Sequence, residues 1–145
     1  MNTIVPKSIA AELTNHDLWT KDNTTGKRAD FSRMDLRAFD LNGVNLAGAI
    51  MVEVIMRGMN LEGANFQGAD MRRAKLGGAL LHTANFEGAY LNGATFSGAK
   101  LSGANLRNTD LTGAGFAWAD LTRANFTNAT LENTYFKNAD LTDVI

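Results

Sequence analysis

Every fifth residue from Phe31 to Leu141 is Leu, Phe or Met, 23 positions in one register without insertion or deletion. Neither standard element accommodates that period. On an α-helix a step of five residues turns the chain by about 500°, so successive centres fall about 140° apart and wind around every side. On a flat strand five is odd, and the apolar side chain alternates between faces. The period therefore requires a chain that turns a corner once per repeat and returns each central side chain to the same interior.

The flanking positions agree with such a corner. Two residues before the centre, the stretch 64–139 holds 14 alanines and two threonines, Thr109 and Thr134. A small residue there shares the interior with the large one, as small and large residues alternate in narrow barrels. Two residues after the centre, glycine or asparagine dominates, as at Gly43, Gly63, Gly98, Asn128 and Asn138. Those residue types supply the positive φ that corners require. The consensus is Ala-(Asp/Asn)-(Leu/Phe)-x-Gly. With 45% hydrophobic residues and one proline among 145 residues, the 14 glycines do not belong to a disordered linker.

This motif resembles the pentapeptide-repeat family, and the resemblance runs from Ala29 to Ile145. It implies an all-β fold, a right-handed quadrilateral β-helix with four repeats per coil and nearly six coils over residues 29–145. At a strand spacing of about 4.8 Å the rod would be roughly 25–30 Å long. Residues 1–28 break the pattern and are expected to form an N-terminal capping helix and loop. Pro6 suits a first helical turn. Ile9, Leu13 and Trp19 would share one apolar side, and Thr24-Thr25-Gly26 marks a loop. Met34, Phe39 and Val44 replace the usual alanine in the first coil, where they would face the cap. His16, beside Asp17, reads as structural or solvated. No comparable helix follows at the other end. Phe136, Leu141, Val144 and Ile145 would leave an open apolar coil, an edge-pairing hazard unless covered, and a homodimer through that coil is expected.

A coil of twenty residues stacks positions twenty apart. Asn45, Asn65, Asn85, Asn105 and Asn125 form one such line, read as a structural hydrogen-bonded ladder. Next-but-one faces differ in charge. One carries Arg37, Arg57, Lys75 and Lys137 against Asp35, with Trp118 and Tyr135 nearby, for +3. The other carries Asp40, Glu62, Asp120, Asp140 and Asp143 against Lys100 and Arg123, for −3. Ile50, Val52 and Ile55 occupy outward positions where polar residues are the rule, and Leu80 does the same one coil on. Such a patch suggests a contact surface, unless the N-terminal segment folds back over it.

Functional classes narrow accordingly. A net charge of −1 gives no global attraction to nucleic acid or to an anionic membrane. The charged face with Trp118 and Tyr135 is short of a Lys/Arg stripe, so nucleic acid is not an expected partner. The absence of cysteine removes disulfides and thiolate chemistry. No signal peptide and no membrane span is evident, and the cytoplasm is the expected compartment. No hydrolase, zinc-protease or P-loop motif is present. His82 with Arg72, Arg73 or Asp70 reads as surface decoration. A packed interior leaves no small-molecule pocket, so no catalytic, cofactor-binding or metal residue is assigned. The expectation is a non-enzymatic scaffold for protein interaction. The alternative that the resemblance implies is a DNA mimic binding DNA gyrase or another type II topoisomerase, of the quinolone-resistance type. Members of that kind carry a strongly acidic surface and a C-terminal dimerisation helix, and this sequence shows neither.

Overall fold

The computed structural model describes residues 8–145. Its one helix, α1, spans Ile9–Asp22. Ser8 caps the start, its hydroxyl oxygen accepting the Ala11 N–H at 3.0 Å. Asn23, left-handed at φ 58, ends the helix by donating its N–H to the Trp19 carbonyl. The Asp22 carboxylate then accepts the N–H groups of Thr24 and Thr25 and organises the exit loop. Gly26 is required there. At φ +71 a Cβ would lie 2.1 Å from the Asn15 carbonyl oxygen. The proline placed at the helix start, Pro6, lies outside the described residues.

α1 docks on the first coil. Ile9 and His16 are buried, and Leu13 packs on the core with Met34, Phe39 and Val44. The side that α1 buries thus includes a histidine as well as the apolar residues. Lys27 donates its N–H to the Asn15 carbonyl, and Ala29 donates its own to His16 Nδ1. Arg28 lies over the Trp19 ring at 5.8 Å and donates to the Gly48 carbonyl.

From Asp30 onward the backbone is a succession of single parallel bridges, each joining a residue to the one twenty positions later. The central residue and the corner residue of each repeat donate to carbonyls nineteen residues ahead, as Leu76 does to Thr95 and Gly78 to Ser97. The residue before the centre donates back to the previous coil, as Lys75 does to Val54. A turn bond closes nearly every corner, as from Ala79 N–H to the Leu76 carbonyl, and at Thr109 the hydroxyl donates to the Leu106 carbonyl instead. The backbone is therefore paired up and down the rod, which a buried chain requires. Four bridge series define four walls. The first runs through Asp30, Ile50, Asp70, Tyr90, Asp110 and Thr130, and the second through Asp35, Ile55, Lys75, Thr95, Gly115 and Tyr135. The third runs through Asn60, Leu80, Lys100, Asp120 and Asp140, and the fourth through Asn45, Asn65, Asn85, Asn105 and Asn125.

The corners are left-handed at eleven glycines and at eleven other residues. Those others are not only asparagine. Arg33, Glu53, Arg73, Thr83, Trp118, Arg123 and Asp143 adopt positive φ as well. Ala38 is the one corner between Arg33 and Asp143 without it, and the bridge between Asp40 and Asn60 beside it is missing. The first coil is thus irregular beside Phe39, which is only partly buried.

The interior is closed. Each central side chain from Phe31 to Leu121 is buried, as are the alanines before most of them. Phenylalanines stack coil on coil: Phe66 on Phe86 at 5.0 Å, Phe96 on Phe116 at 4.7 Å, and Phe116 on Phe136 at 5.4 Å. Aspartate or asparagine before the centre has a local cause. Its side-chain oxygen accepts the N–H two residues on, from Asp30 to Ser32 through Asp140 to Thr142.

Candidate interaction surfaces

With the interior filled, the chemistry available to a partner lies on the walls and at the ends. The fourth wall is structural. Asn65 donates to Asn45 at 3.1 Å, Asn85 to Asn65 at 3.3 Å and Asn105 to Asn85 at 3.0 Å. The same oxygens accept the N–H two residues on, from Ala47, Gln67 and Glu87, so each carboxamide is committed to the rod. Asn125 instead accepts the Thr127 hydroxyl at 2.6 Å.

The outward apolar residues do not make one patch. Ile50 and Val52 lie on the first wall, Ile55 on the second and Leu80 on the third, between Asn60 and Lys100. Each five-residue step carries the chain to the next wall, and so separates them. Ile50, Val52 and Ile55 are half-buried, and Ile50 sits between Asp30 and Asp70. As isoleucines, Ile50 and Ile55 lack the side-chain oxygen that the neighbouring aspartates and asparagines supply to the corner. His82 is likewise on the third wall's side of the coil, away from Asp70, Arg72 and Arg73.

On the first wall, Arg72 grips Asp70 through two nitrogens at 2.8 and 2.7 Å. Hydrogen bonding from Arg72 holds the Asp70 carboxyl below its ordinary range, against a partial desolvation. Glu53 lies between Arg33 and Arg73 at 3.6 and 3.5 Å, loose pairs on an exposed surface. Asp70, Arg72, Tyr90 and Asn92 line an open notch of about 550 Å³. Its carboxylate and guanidinium satisfy each other.

The second and third walls carry the opposite charges, and they are neighbours rather than next-but-one. Because the chain passes directly from each second-wall repeat to a third-wall repeat, they share the corner at Gly58, Gly78, Gly98 and Trp118. On the second wall Arg37 is bound to Asp35 at 2.6 Å. Side-chain hydrogen bonds from Arg37, then its backbone N–H, pull the Asp35 carboxyl down to about 2. Arg57, Lys75 and Lys137 have no ion-pair partner among the described residues. Trp118 and Tyr135 are 68% and 53% exposed. The left-handed backbone of Trp118 has no counterpart in the sequence analysis, where only asparagine and glycine are expected at a corner.

At the C-terminal end Phe136 is half-buried, while Leu131, Leu141, Val144 and Ile145 are exposed. Leu131 and Leu141 hold interior positions of the repeat and are nevertheless exposed. Among the described residues no cluster of His, Cys, Asp or Glu could hold a metal, and no helix is long and apolar enough to cross a membrane.

A family model for the pentapeptide repeat region matches residues 69–144, and one for pentapeptide repeats in 8 copies matches residues 40–78. Among solved structures, a pentapeptide repeat protein from the Arabidopsis thaliana thylakoid lumen is 40% identical with a TM-score of 0.59. That match covers 61% of each chain. A pentapeptide repeat protein from the cyanobacterium Cyanothece 51142 is 33% identical with a TM-score of 0.61, over 63% of each chain. The chain thus spans about three fifths of the length of either structure. QnrB1, a plasmid-mediated fluoroquinolone resistance protein, is 16% identical with a TM-score of 0.43, over 69% of this chain and 62% of that one. No curated protein sequence matches. The unbroken five-residue register, its twenty-residue bridge spacing and the family match over more than half of its length place this chain in the pentapeptide repeat family.

Proposed function

We propose that the protein is a non-enzymatic scaffold for protein interaction. Residues 29–145 form a right-handed quadrilateral rod of nearly six coils, the described residues 8–28 of the N-terminal segment cap one end, and the other end pairs with a second copy. The observation that carries this reading is the difference between the two ends. α1 covers the first coil, whereas Leu131 and Leu141 in the last coil are 43% and 41% exposed at interior positions. The N–H groups of Leu131, Phe136 and Leu141 also make no backbone bond among the described residues. An end with both apolar side chains and free ladder groups suits a two-fold pairing with its own copy. More than half of each leucine is already buried, so covering the rest contributes about 1 kcal/mol apiece. Catalysis finds no support, because the filled interior leaves no substrate cavity.

Light scattering at micromolar concentration tests the pairing. The wild type is expected at twice the mass of one chain. Leu131→Asp with Leu141→Asp is expected at the mass of one chain, with its helical and β signals retained. A wild type that stays single over the whole concentration range overturns the pairing. The DNA-mimic reading gains little from the charge pattern, since the −3 wall adjoins a +3 wall. In a gyrase supercoiling assay, with and without quinolone, no effect is expected.

A further inference from the structure

Resting on the scaffold reading, we propose that the second wall is a docking site for an extended acidic segment of another protein, anchored on Trp118. The corner column that closes this wall reads Ala38, Gly58, Gly78, Gly98, Trp118 and Asn138. Five are small, and the sixth is the largest side chain available. Trp118 takes φ 61, a backbone region that bulky residues avoid, and leaves its indole 68% exposed. It makes no aromatic or cation contact among the described residues, in contrast to Trp19, which stacks on His16 under Arg28. The fold gains nothing visible from a strained, wet tryptophan, and strain of this kind collects where a partner binds.

The surface around it supplies the rest of a site. Gly77, Ser97 and Ala117 form one column across the middle coils, and Gly115 lies beside it. A Cβ at Gly78, Gly98 or Gly115 would touch nothing within 4 Å, so the strip is flat and open. Tyr135 rises at its C-terminal edge, bridged to Gly115. Arg57 and Lys75 stand at one end of the strip and Lys137 at the other, all three without ion-pair partners among the described residues. Four coil spacings separate Arg57 from Lys137, about 19 Å, the span of about six extended residues. A segment with carboxylates at both ends and an apolar residue near Trp118 and Tyr135 meets each feature. Asp120 and Asp140 on the adjoining wall repel the same segment and keep it on the second wall. Three free cations over that distance are too few for a nucleic-acid backbone, which presents many closely spaced phosphates.

The test begins with a random hexapeptide display library panned on the wild-type protein. Enriched peptides are then labelled and measured by fluorescence anisotropy against wild type, Trp118→Asn and Lys137→Glu. Asparagine already occupies left-handed corners at Asn108, Asn128 and Asn138, so Trp118→Asn keeps or raises the Tm. The enriched peptides are expected to be net acidic, and each variant is expected to bind them at least tenfold more weakly. No enrichment, neutral or basic peptides, or unchanged affinity for Trp118→Asn overturns the proposal. So does an oligothymidylate that binds more tightly than the peptides. Dimerisation is read separately by light scattering, so a protein that pairs but ignores acidic peptides sinks this inference and leaves the scaffold reading intact.

Discussion

Phe116→Ala is expected to destabilise the rod by about 3–5 kcal/mol, the usual range for emptying a buried phenylalanine site. Phe116 is buried, lies parallel to Phe96 at 4.7 Å and to Phe136 at 5.4 Å, and meets Phe126 edge-on at 6.4 Å. Its removal takes one ring from three contacts at once. The surrounding backbone cannot collapse into the space, because each coil is pinned above and below by ladder bonds such as Phe116 N–H to the Tyr135 carbonyl. In a stacked array each coil is supported mainly by its neighbours. The loss is therefore expected to uncouple the last coils before the rest. Urea unfolding followed by residue-resolved amide hydrogen exchange reads this directly, since the amides of the C-terminal coils and of the cap are followed separately. A stability loss below about 1 kcal/mol contradicts the packing described here.

Acidification is expected to loosen the cap. His16 Nδ1 accepts the Ala29 N–H at 3.1 Å, which places the neutral ring's proton on Nε2. Nε2 is buried and makes no hydrogen bond of ordinary length. Burial lowers the His16 pKa from 6.5. The Ala47 carbonyl opposes that shift, Arg28 reinforces it and Asp17 opposes it. A folded-state pKa below the unfolded value means that the unfolded chain takes the proton first. This contribution to stability is complete above about pH 6.5 and is lost as pH falls below it. A proton on Nδ1 also turns the acceptor of the Ala29 bond into a second donor. His16→Leu orphans the Ala29 N–H and is expected to cost about 1–3 kcal/mol at pH 7.5, while flattening the dependence between pH 6.5 and 5. Asp22 and Asp35, held at about 2, titrate far below that window. Thermal melts of wild type and His16→Leu at pH 7.5, 6 and 5 test the prediction. A wild-type Tm unchanged across that range refutes it.

The rod was legible because its cause is local and repeated. An apolar centre every fifth residue, alanine before it and a corner-former after it each carry the same instruction, and the twenty-residue bridges follow. The asparagine line was legible for the same reason, although its last member, Asn125, turns to Thr127 instead of to Asn105. What the sequence hid depends on which wall a residue reaches. Ile50, Ile55 and Leu80 look like one patch in the chain, yet the corner between repeats sends them to three walls. The charged walls are neighbours for the same geometric reason. His16 was hidden differently. Its role arises from Ala29 and Trp19 closing over it, a contact between segments with no repeat to announce it. The backbone of Trp118 gave no signal either, since a tryptophan at a left-handed corner is what residue preference argues against.

Amide hydrogen exchange at two protein concentrations tests the central claim, that one end of the rod is closed within the chain and the other is completed by a second copy. At a concentration that favours the pair, the N–H groups of Leu131, Phe136 and Leu141 are expected to become protected. On dilution they are expected to exchange rapidly, while Leu76, Leu91 and Leu106 stay protected throughout. Equal exchange of the three C-terminal amides at both concentrations contradicts the account.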